Sequence, residues 1–225
     1  MALILCLETA TKVCSVSLAE NGKEVKTLSI TSEKYSHAEK LNGLIIALFE
    51  ATNFSLKNID AIAVSQGPGS YTGLRIGTSS AKGFCYALDI PLIAINSLLA
   101  LAHSKIGENT LVCPMFDARR MEVYSAIYSP EMDELEETKA VIIDEESYLP
   151  FLEKQKICFI GPGAAKCQET LTHKNAIFDL TKTVTAKGMI SFAESKFKNN
   201  DFVDLAYFEP FYLKDFIAGT PKKIF

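Results

Sequence analysis

The sequence has no excess of basic residues. Its 23 lysines and arginines face 27 aspartates and glutamates, which gives a net charge of −4 and a pI of about 5.5. This charge balance argues against a broad basic face that binds nucleic acid unaided, and it does not exclude action on nucleic acid beside a basic partner. No apolar run approaches the roughly 18 residues that a membrane span needs. Because the N-terminus lacks a basic segment and Glu8 ends its apolar run, we expect no signal peptide, no membrane contact and a cytoplasmic location.

Motifs of cysteine and histidine chemistry are also missing. None of the six cysteines stands in a C-x-x-C pair, and four lie in apolar, strand-like runs, so we expect buried, reduced thiols. The cysteines are Cys6, Cys14, Cys85, Cys113, Cys158 and Cys167. The three histidines are far apart, and His37 and Glu39 would point to different sides of a helix. A metal-binding H-x-x-x-H pair is therefore absent, and no catalytic Ser/His/Asp or Cys/His set has local support.

The apolar pattern of the first half predicts strands and helices in a definite order. Three strands come first, with an Asn21-Gly22 hairpin turn between the second and third. A helix then opens on a Ser36–Glu39 capping box and closes near Asn53. Strand, helix, strand and helix follow, the last one capped by Asn96 or Ser97. The predicted strands are 3–7, 13–19, 23–30, 61–65 and 91–95, and the later helices are 73–88 and 97–105.

Two features of this half recur in the same order further along the chain. LILCLETATKVCSVSLA at 3–19 aligns without gaps with VCPMFDARRMEVYSAIY at 112–128, which places Glu8 against Asp117. GPGS at 67–70 has a counterpart in GPGA at 161–164. The repetition predicts an internal duplication and two domains, 1–106 and 107–225, joined at a short polar linker.

Three antiparallel strands followed by alternating helices and strands, used twice, predict an α/β protein with a duplicated, two-domain actin-like (ribonuclease-H-like, ASKHA) fold. Mixed sheets flanked by helices would enclose a cleft, and Glu8 and Asp117 would face it. Nucleotide-binding members have glycine-rich first hairpins, whereas this hairpin has no glycine until Gly22. Cβ atoms would therefore obstruct the approach of a phosphate.

Five segments, spread over nearly the whole chain, resemble those of one protein family. They are ILCLETATKVCSVSL, SHAEKL, QGPGSYTGLRIGTSSAKG, FDARRMEVYSAIY and EPFYLK. The chain is thereby identified as similar to the TsaB family, also called YeaZ. It departs from the family pattern at Glu8, where aspartate is usual, and in HAE at 37–39, where HSE is common.

The resemblance implies a subunit that is not itself the catalyst. In bacteria TsaB pairs with the related subunit TsaD and with the ATPase TsaE. Their complex transfers threonylcarbamoyl from threonylcarbamoyl-AMP to N6 of an adenosine beside the tRNA anticodon. TsaD carries the metal and the active site, so we expect no catalytic residue, metal or tightly bound cofactor in this chain, with ATP used through the partners. We also expect a homodimer in isolation and tRNA contact only through the complex.

The resemblance further implies that the partner binds two helices of the first half. The predicted interface residues are His37, Glu39, Leu41, Leu44, Ile45, Leu48, Gly73, Arg75, Ile76, Gly77, Ser80, Ala81 and Phe84. The predicted remnant of a nucleotide cleft consists of Glu8, Thr9, Gly67, Gly69 and Asp117, with the glycine loop shaping the cleft rather than binding phosphate.

Small residues recur at every fourth position of the predicted helix 73–88, and we call Gly73, Gly77, Ala81 and Cys85 the small-residue seam. A glycine within a helix costs up to about 1 kcal/mol relative to alanine, so a close neighbour is expected. That neighbour is either a partner helix at an exposed interface, which we predict, or the chain's own sheet. Two other functions stay open: an actin-like kinase or ATPase that uses Glu8 and Asp117, and a glycoprotease-like metallopeptidase.

Overall fold

Two five-stranded sheets form the framework of a computed structural model that describes residues 2–31 and 37–214. The first sheet has the order β3-β2-β1-β4-β5, with antiparallel pairing from β1 to β3 and parallel pairing from β1 through β4 to β5. Its strands are β1 (Leu3–Glu8), β2 (Val13–Glu20), β3 (Lys23–Thr31), β4 (Ala61–Gly67) and β5 (Leu92–Asn96).

The second sheet repeats this topology as β8-β7-β6-β9-β10, with the same strand directions. Its strands are β6 (Leu111–Asp117), β7 (Glu122–Tyr128), β8 (Glu134–Ile142), β9 (Ile157–Ile160) and β10 (Ala176–Asp179). The predicted duplication is confirmed by this repetition. The division into domains at 106 and 107 stays a prediction.

The first hairpins of the two halves differ in length. Six residues separate the paired Glu8 and Ser15, whereas five separate the paired Asp117 and Val123. The gapless alignment of the two halves is therefore wrong by one residue at this turn. Since side chains alternate between the two faces of a strand, a shift of one residue exchanges the faces.

Five helices connect or cover the strands within the described part of the chain. They are α1 (His37–Glu50), α2 (Tyr71–Leu88), α3 (Ser97–Ala102), α4 (Leu149–Leu152) and α5 (Ile190–Lys198), with 3₁₀ turns at Leu56–Asn58, His103–Lys105, Ala165–Cys167 and Ala186–Met189. The predicted cap Asn96 is confirmed, because its side chain accepts hydrogen bonds from Leu98 N (2.8 Å) and Leu99 N (3.4 Å). Ser36 of the predicted capping box lies outside the described residues. The helix α1 ends at Glu50, before the predicted cap Asn53.

The helix α2 begins two residues before its predicted start. The Ser70 side chain accepts a hydrogen bond from Gly73 N at 3.2 Å, which caps the first turn, and Asp89 ends the helix in the left-handed conformation. The polar residue that the sequence offers just after the glycine loop therefore sets the boundary.

Three apolar cores lie on the faces of the sheets. We call the first the inner core: it joins residues of both sheets, such as Ile4 and Ile160, with α3, α5 and the turn Ala186–Met189. The second lies between the first sheet and the helices α1 and α2, and the third lies on the outer face of the second sheet. Because the inner core is continuous, apolar side chains fill the space between the sheets.

All six cysteines are free and buried, as predicted. Burial also raises the pKa of Cys6 to about 12. Among the residues that the structure describes, no helix combines the length and the apolarity that a membrane crossing requires.

Candidate functional site

The first hairpin turn begins with the buried residues Glu8, Thr9 and Ala10 and reaches the surface at Lys12. Glu8 ends β1 and is fully buried, and its Oε1 accepts a hydrogen bond from Ala10 N at 2.5 Å. Beside it, Thr9 N donates to Ser65 Oγ at 3.3 Å. Burial raises the pKa of Glu8 to about 7, although hydrogen bonds from Ala10, Ser65 and Thr9 lower it. This carboxyl group is therefore part of the core and not part of an open cleft.

The helix α2 packs directly on this hairpin. A Cβ added to Gly73 would overlap the carbonyl oxygen of Thr9, and one added to Gly77 would overlap Thr9 Oγ1. Ala81 and Cys85, the other members of the small-residue seam, are buried between α2 and the first sheet. The close neighbour of the seam is thus the chain itself. The interpretation of the seam as an exposed docking surface is wrong, and the alternative of packing within the chain is confirmed.

The glycine loop 67–70 also meets the chain's own backbone. Ser70 N donates to the Ala10 carbonyl at 2.7 Å, and a Cβ on Gly69 would lie 2.5 Å from the same oxygen. Gly67, at φ +110°, has the Phe211 carbonyl oxygen 2.6 Å from the place of its missing Cβ. The two glycines therefore allow segments of the chain to approach each other closely.

The end of the second hairpin lies at the surface. The Asp117 side chain is 57% exposed, and it accepts hydrogen bonds from Lys166 Nζ at 2.5 Å and from Arg119 N at 2.9 Å. Partial burial opposes the effect of these donors, yet Lys166 and Arg119 together lower the pKa of Asp117. Lys166 also donates to the carbonyls of Arg120 and Glu122, at 2.7 Å each.

The structure does not bring the two predicted acids together. Along β1, Glu8 continues the alternation of Ile4 and Cys6, which belong to the inner core. Along β6, Asp117 continues the alternation of Cys113 and Met115, which belong to the outer core of the second sheet. The expectation that Asp117 faces a shared cleft with Glu8 is therefore wrong. Glu8, Thr9 and Gly69 do lie together, around Ala10.

The predicted partner interface divides into two sets by burial. Eight of its residues are buried within the chain: His37, Leu41, Leu44, Ile45, Leu48, Gly73, Gly77 and Ala81. Five are partly or fully exposed: Glu39, Arg75, Ile76, Ser80 and Phe84. For the buried positions other than Ile45, which lines the groove described next, the expectation of direct contact is corrected, because these residues pack within the chain. Docking on the exposed set stays a prediction.

Beside the exposed set lies an open apolar groove of ≈ 620 Å³, between the end of α1, the turn Leu56–Asn58 and α2. Ile45, Ile46, Phe49, Phe54, Leu56 and Phe84 supply its apolar lining. Ile46 is 60% exposed, and Tyr86 on α2 is 84% exposed. Neither residue was predicted from the sequence to belong to the interface, because each lies off the helical stripe that marks the core. An apolar residue just outside such a stripe could have indicated an exposed apolar surface.

His37 has a structural position at the start of α1. It is buried, its Nε2 lies 2.8 Å from the Thr11 carbonyl oxygen, and burial lowers its pKa. This contact ties α1 to the first hairpin. Within residues 2–31 and 37–214, no three side chains of histidine, cysteine, aspartate or glutamate are grouped so that they could hold a metal ion.

The repeated sheet topology and the two hairpin ends define an α/β protein of the actin-like class, built by duplication. A solved structure with this fold is the ethanolamine utilization protein EutJ from Carboxydothermus hydrogenoformans. It has a TM-score of 0.51 and 12% identity and covers 85% of this chain and 89% of that chain.

Three further matches show the family. The protein-family model described as TsaD: tRNA N6-adenosine threonylcarbamoyltransferase matches residues 30–218 of this chain. The tRNA threonylcarbamoyladenosine biosynthesis protein TsaB of Bacillus subtilis is 32% identical, over 84% of this chain and 80% of its own length. YeaZ from Pseudomonas aeruginosa superposes with a TM-score of 0.83 at 26% identity, covering 95% of this chain and 100% of that chain. The chain belongs to the TsaB (YeaZ) family.

Proposed function

We propose that this protein is a non-catalytic subunit of the cytoplasmic assembly that forms threonylcarbamoyladenosine in tRNA. Its TsaB relative in Bacillus subtilis is named for the biosynthesis of that nucleoside. One observation carries the non-catalytic role: the inner core fills the space between the two sheets, where an actin-like enzyme would hold its nucleotide.

The backbone amides around this hairpin support the same conclusion. A phosphate cradle needs amide hydrogens that point into open space. Here those of Thr9, Ala10 and Ser70 are bonded to Ser65 Oγ, Glu8 Oε1 and the Ala10 carbonyl, and that of Gly67 is bonded to Ser97 Oγ at 3.1 Å. Binding a nucleotide would require breaking these hydrogen bonds inside the core. We therefore assign the chemistry, the metal and the use of ATP to partner subunits.

The partners in this proposal are TsaD and TsaE, and the α1–α2 face is the docking surface. Its apolar groove exposes Ile46 and part of Phe84 to solvent, which favours burial against another protein. A homologous subunit would present a comparable helical face. In its absence a second copy of the chain would cover the groove and form a homodimer with a two-fold axis.

The function is tested by loss and restoration of the modified nucleoside. Deleting the gene from its own cell should abolish threonylcarbamoyladenosine in bulk tRNA, measured by mass spectrometry of digested nucleosides, and the wild-type chain should restore it. The purified chain alone should neither hydrolyse ATP nor modify tRNA with threonylcarbamoyl-AMP. Turnover of ATP by the chain alone would support the actin-like kinase or ATPase instead.

The docking surface is tested by a matched pair of substitutions. Ile46→Glu places a charge in the groove, whereas Ile142→Glu changes an isoleucine that is 73% exposed on β8 of the second sheet. We expect Ile46→Glu to weaken homodimer and partner binding at least about tenfold, since a charge buried at an interface is costly, while Ile142→Glu leaves both unchanged. Equal binding by the two variants in analytical ultracentrifugation and pull-down would place the interface elsewhere.

A further inference from the structure

Arginine is scarce in this chain: three of its 23 basic residues are arginines and twenty are lysines. The three arginines lie on two elements of the chain. Arg75 is on the second turn of α2, and Arg119 and Arg120 form the tip of the β6–β7 hairpin. These two elements are far apart in sequence, and the segment 211–214 connects them in space.

The first part of this surface is an aromatic stack with a guanidinium on top. The Arg75 guanidinium lies 4.2 Å from the centre of the Tyr71 ring, and the Tyr71 and Tyr212 rings are 4.7 Å apart. Arg75 Nε also donates to Tyr212 Oη at 3.4 Å. Arg75 itself is exposed. The result is a cationic group held flat against tyrosines at the protein surface.

The second part begins two residues further along the same segment. Lys214 forms an ion pair with Glu122, at the start of β7. Burial raises the pKa of Tyr124, and the nearby charges of Lys214 and Arg119 partly oppose this shift. The aromatic stack and the arginine hairpin are thus parts of one continuous surface.

Lys166 makes the arginine hairpin a fixed feature. Arg119 and Arg120 have φ values of +74° and +51°, which are uncommon for residues with a Cβ. Lys166 lies beneath the turn and donates to Asp117 and to two of its carbonyls. The carboxylates of Asp117 and Glu122 are both paired with lysines. The carboxylate of Glu209 lies near Arg75.

We infer that this arginine surface binds the RNA backbone directly, which departs from the expectation that tRNA is contacted only through the complex. It consists of Tyr71, Arg75, Arg119, Arg120, Tyr212 and Lys214. Arginine suits this partner, because its planar fork forms paired hydrogen bonds with phosphate and stacks on bases and aromatic rings, which an ammonium does not do. Unpaired RNA loops are recognised by such stacking together with backbone contacts. On the proposed function, which this inference extends, the RNA is the tRNA substrate.

Direct binding is measured by fluorescence anisotropy of an unmodified tRNA transcript with the full-length chain, over a salt series from about 50 to 200 mM. Arg119→Ala with Arg120→Ala should weaken binding about tenfold or more, since each removes a charged hydrogen bond. The slope of log affinity against log salt should fall by about one per lost phosphate contact. Lys154→Ala with Lys156→Ala is the charge-matched control on an exposed turn, and it should change the affinity less than about twofold.

Lysine at the two arginine positions separates charge from geometry. Arg119→Lys with Arg120→Lys should keep most of the salt slope yet bind more weakly than wild type, because the paired hydrogen bonds are lost. Equal effects of the arginine and control alanine pairs, or no binding by the wild-type chain at low salt, would overturn the inference.

Restoration of the modified nucleoside in cells distinguishes the two proposals. If wild type restores threonylcarbamoyladenosine and the double arginine variant fails while still binding its partner proteins, both proposals stand. If the double variant restores as well as wild type, the arginine surface has no part in tRNA binding. If it loses a protein partner while its affinity for RNA is unchanged, the surface is a protein contact. If wild type itself does not restore, the proposed function fails.

Discussion

Glu8 and Asp117 end equivalent strands of the repeated topology, just before the hairpin turns, yet Glu8 is buried and Asp117 is exposed. In the first half, β4 leads into α2, an 18-residue helix whose glycines lie against Thr9. In the second half, β9 leads only to a three-residue 3₁₀ turn, and Lys166 from that turn satisfies the hairpin instead. The element that follows the fourth strand of each half therefore determines what packs against the preceding hairpin.

The two acids also differ in their surroundings. Glu8 lies on the side of β1 that faces the inner core, and its burial there favours the neutral form of the carboxyl group. Asp117 kept a partner of opposite charge and its access to solvent, so its charged form is favoured. Each of the following substitutions changes one contact or one charge that distinguishes the two hairpins.

The largest effect is expected where α2 touches the first hairpin. Gly73→Ala should lower the free energy of unfolding by about 3 kcal/mol, at the upper end for overpacking, because the new Cβ meets the Thr9 backbone, which cannot rotate away. Urea denaturation measures the loss. Gly83→Ala in the same helix is the control: nothing lies within 4 Å of its Cβ position, so it should gain about 0.5–1 kcal/mol. Equal stability of the two variants would contradict the close packing of α2 on Thr9.

The next effect concerns the buried carboxyl group. The pKa of Glu8 is raised from 4.5 to about 7, so the folded state retains a proton that the unfolded state releases between these values. Stability should therefore fall as the pH rises through this window, by up to about 1.4 kcal/mol per pH unit and about 3 kcal/mol in all. Glu8→Gln should remove this loss. The free energy of unfolding of the variant, compared with that of wild type, should therefore be higher at pH 8 than at pH 5. Parallel stability profiles of the two proteins would show that Glu8 is not the responsible group.

A smaller effect is expected in the second hairpin, where a side chain replaces the missing helix. Lys166→Met removes three hydrogen bonds, two of them to hairpin carbonyls that water can reach in part, and should cost about 1 kcal/mol. Amide hydrogen exchange should accelerate in β6 and β7 and stay unchanged in β1. The exposed Lys156→Met serves as the control. Unchanged exchange in the hairpin would mean that the turn does not depend on Lys166.

The smallest effect belongs to the exposed acid. Asp117→Asn should cost only a few tenths of a kcal/mol, since a pair of which one partner is 57% exposed is screened by solvent. Because its pKa is lowered, its contribution is present above the ordinary aspartate pKa and is lost as the pH falls through the folded value. Formation of threonylcarbamoyladenosine should be unaffected. A loss of about 100-fold, or 2.7 kcal/mol in the barrier, would assign Asp117 to the chemistry.

Much of the fold could be predicted because it rests on local patterns. The strand 13–19 was predicted within one residue of β2, Val13–Glu20, from its alternation. The hairpin turn was predicted from the Asn21-Gly22 dipeptide, and both residues are left-handed in the structure, at φ +51° and +73°. The helix α2 was predicted to start two residues too late. Ser70 indicates a start at Tyr71, whereas Gly73, a poor helix former, suggests that the helix has not yet begun.

The site was less predictable, because burial depends on elements that are distant in sequence. Ile46 and Tyr86 are exposed only because the stripes beside them face the sheet. The arginine surface depends on Tyr212 and Lys214, which return to α2 and β7 from more than 80 residues away in sequence. Nothing in the local pattern around Arg75 or Arg119 indicates that they share a surface.

The sequence by itself determined the order of the strands and helices, the duplication and the family, because periodicity, turn residues and motifs are local properties of the chain. Only the tertiary structure decided which side of α2 is free. The small-residue seam requires a close neighbour, but glycine allows the approach of any backbone, from a partner or from the chain itself. The β1–β2 hairpin fills that position here, since it ends where α2 begins. The buried glycines thereby stabilise the domain, and the opposite side of the helix remains exposed to a partner.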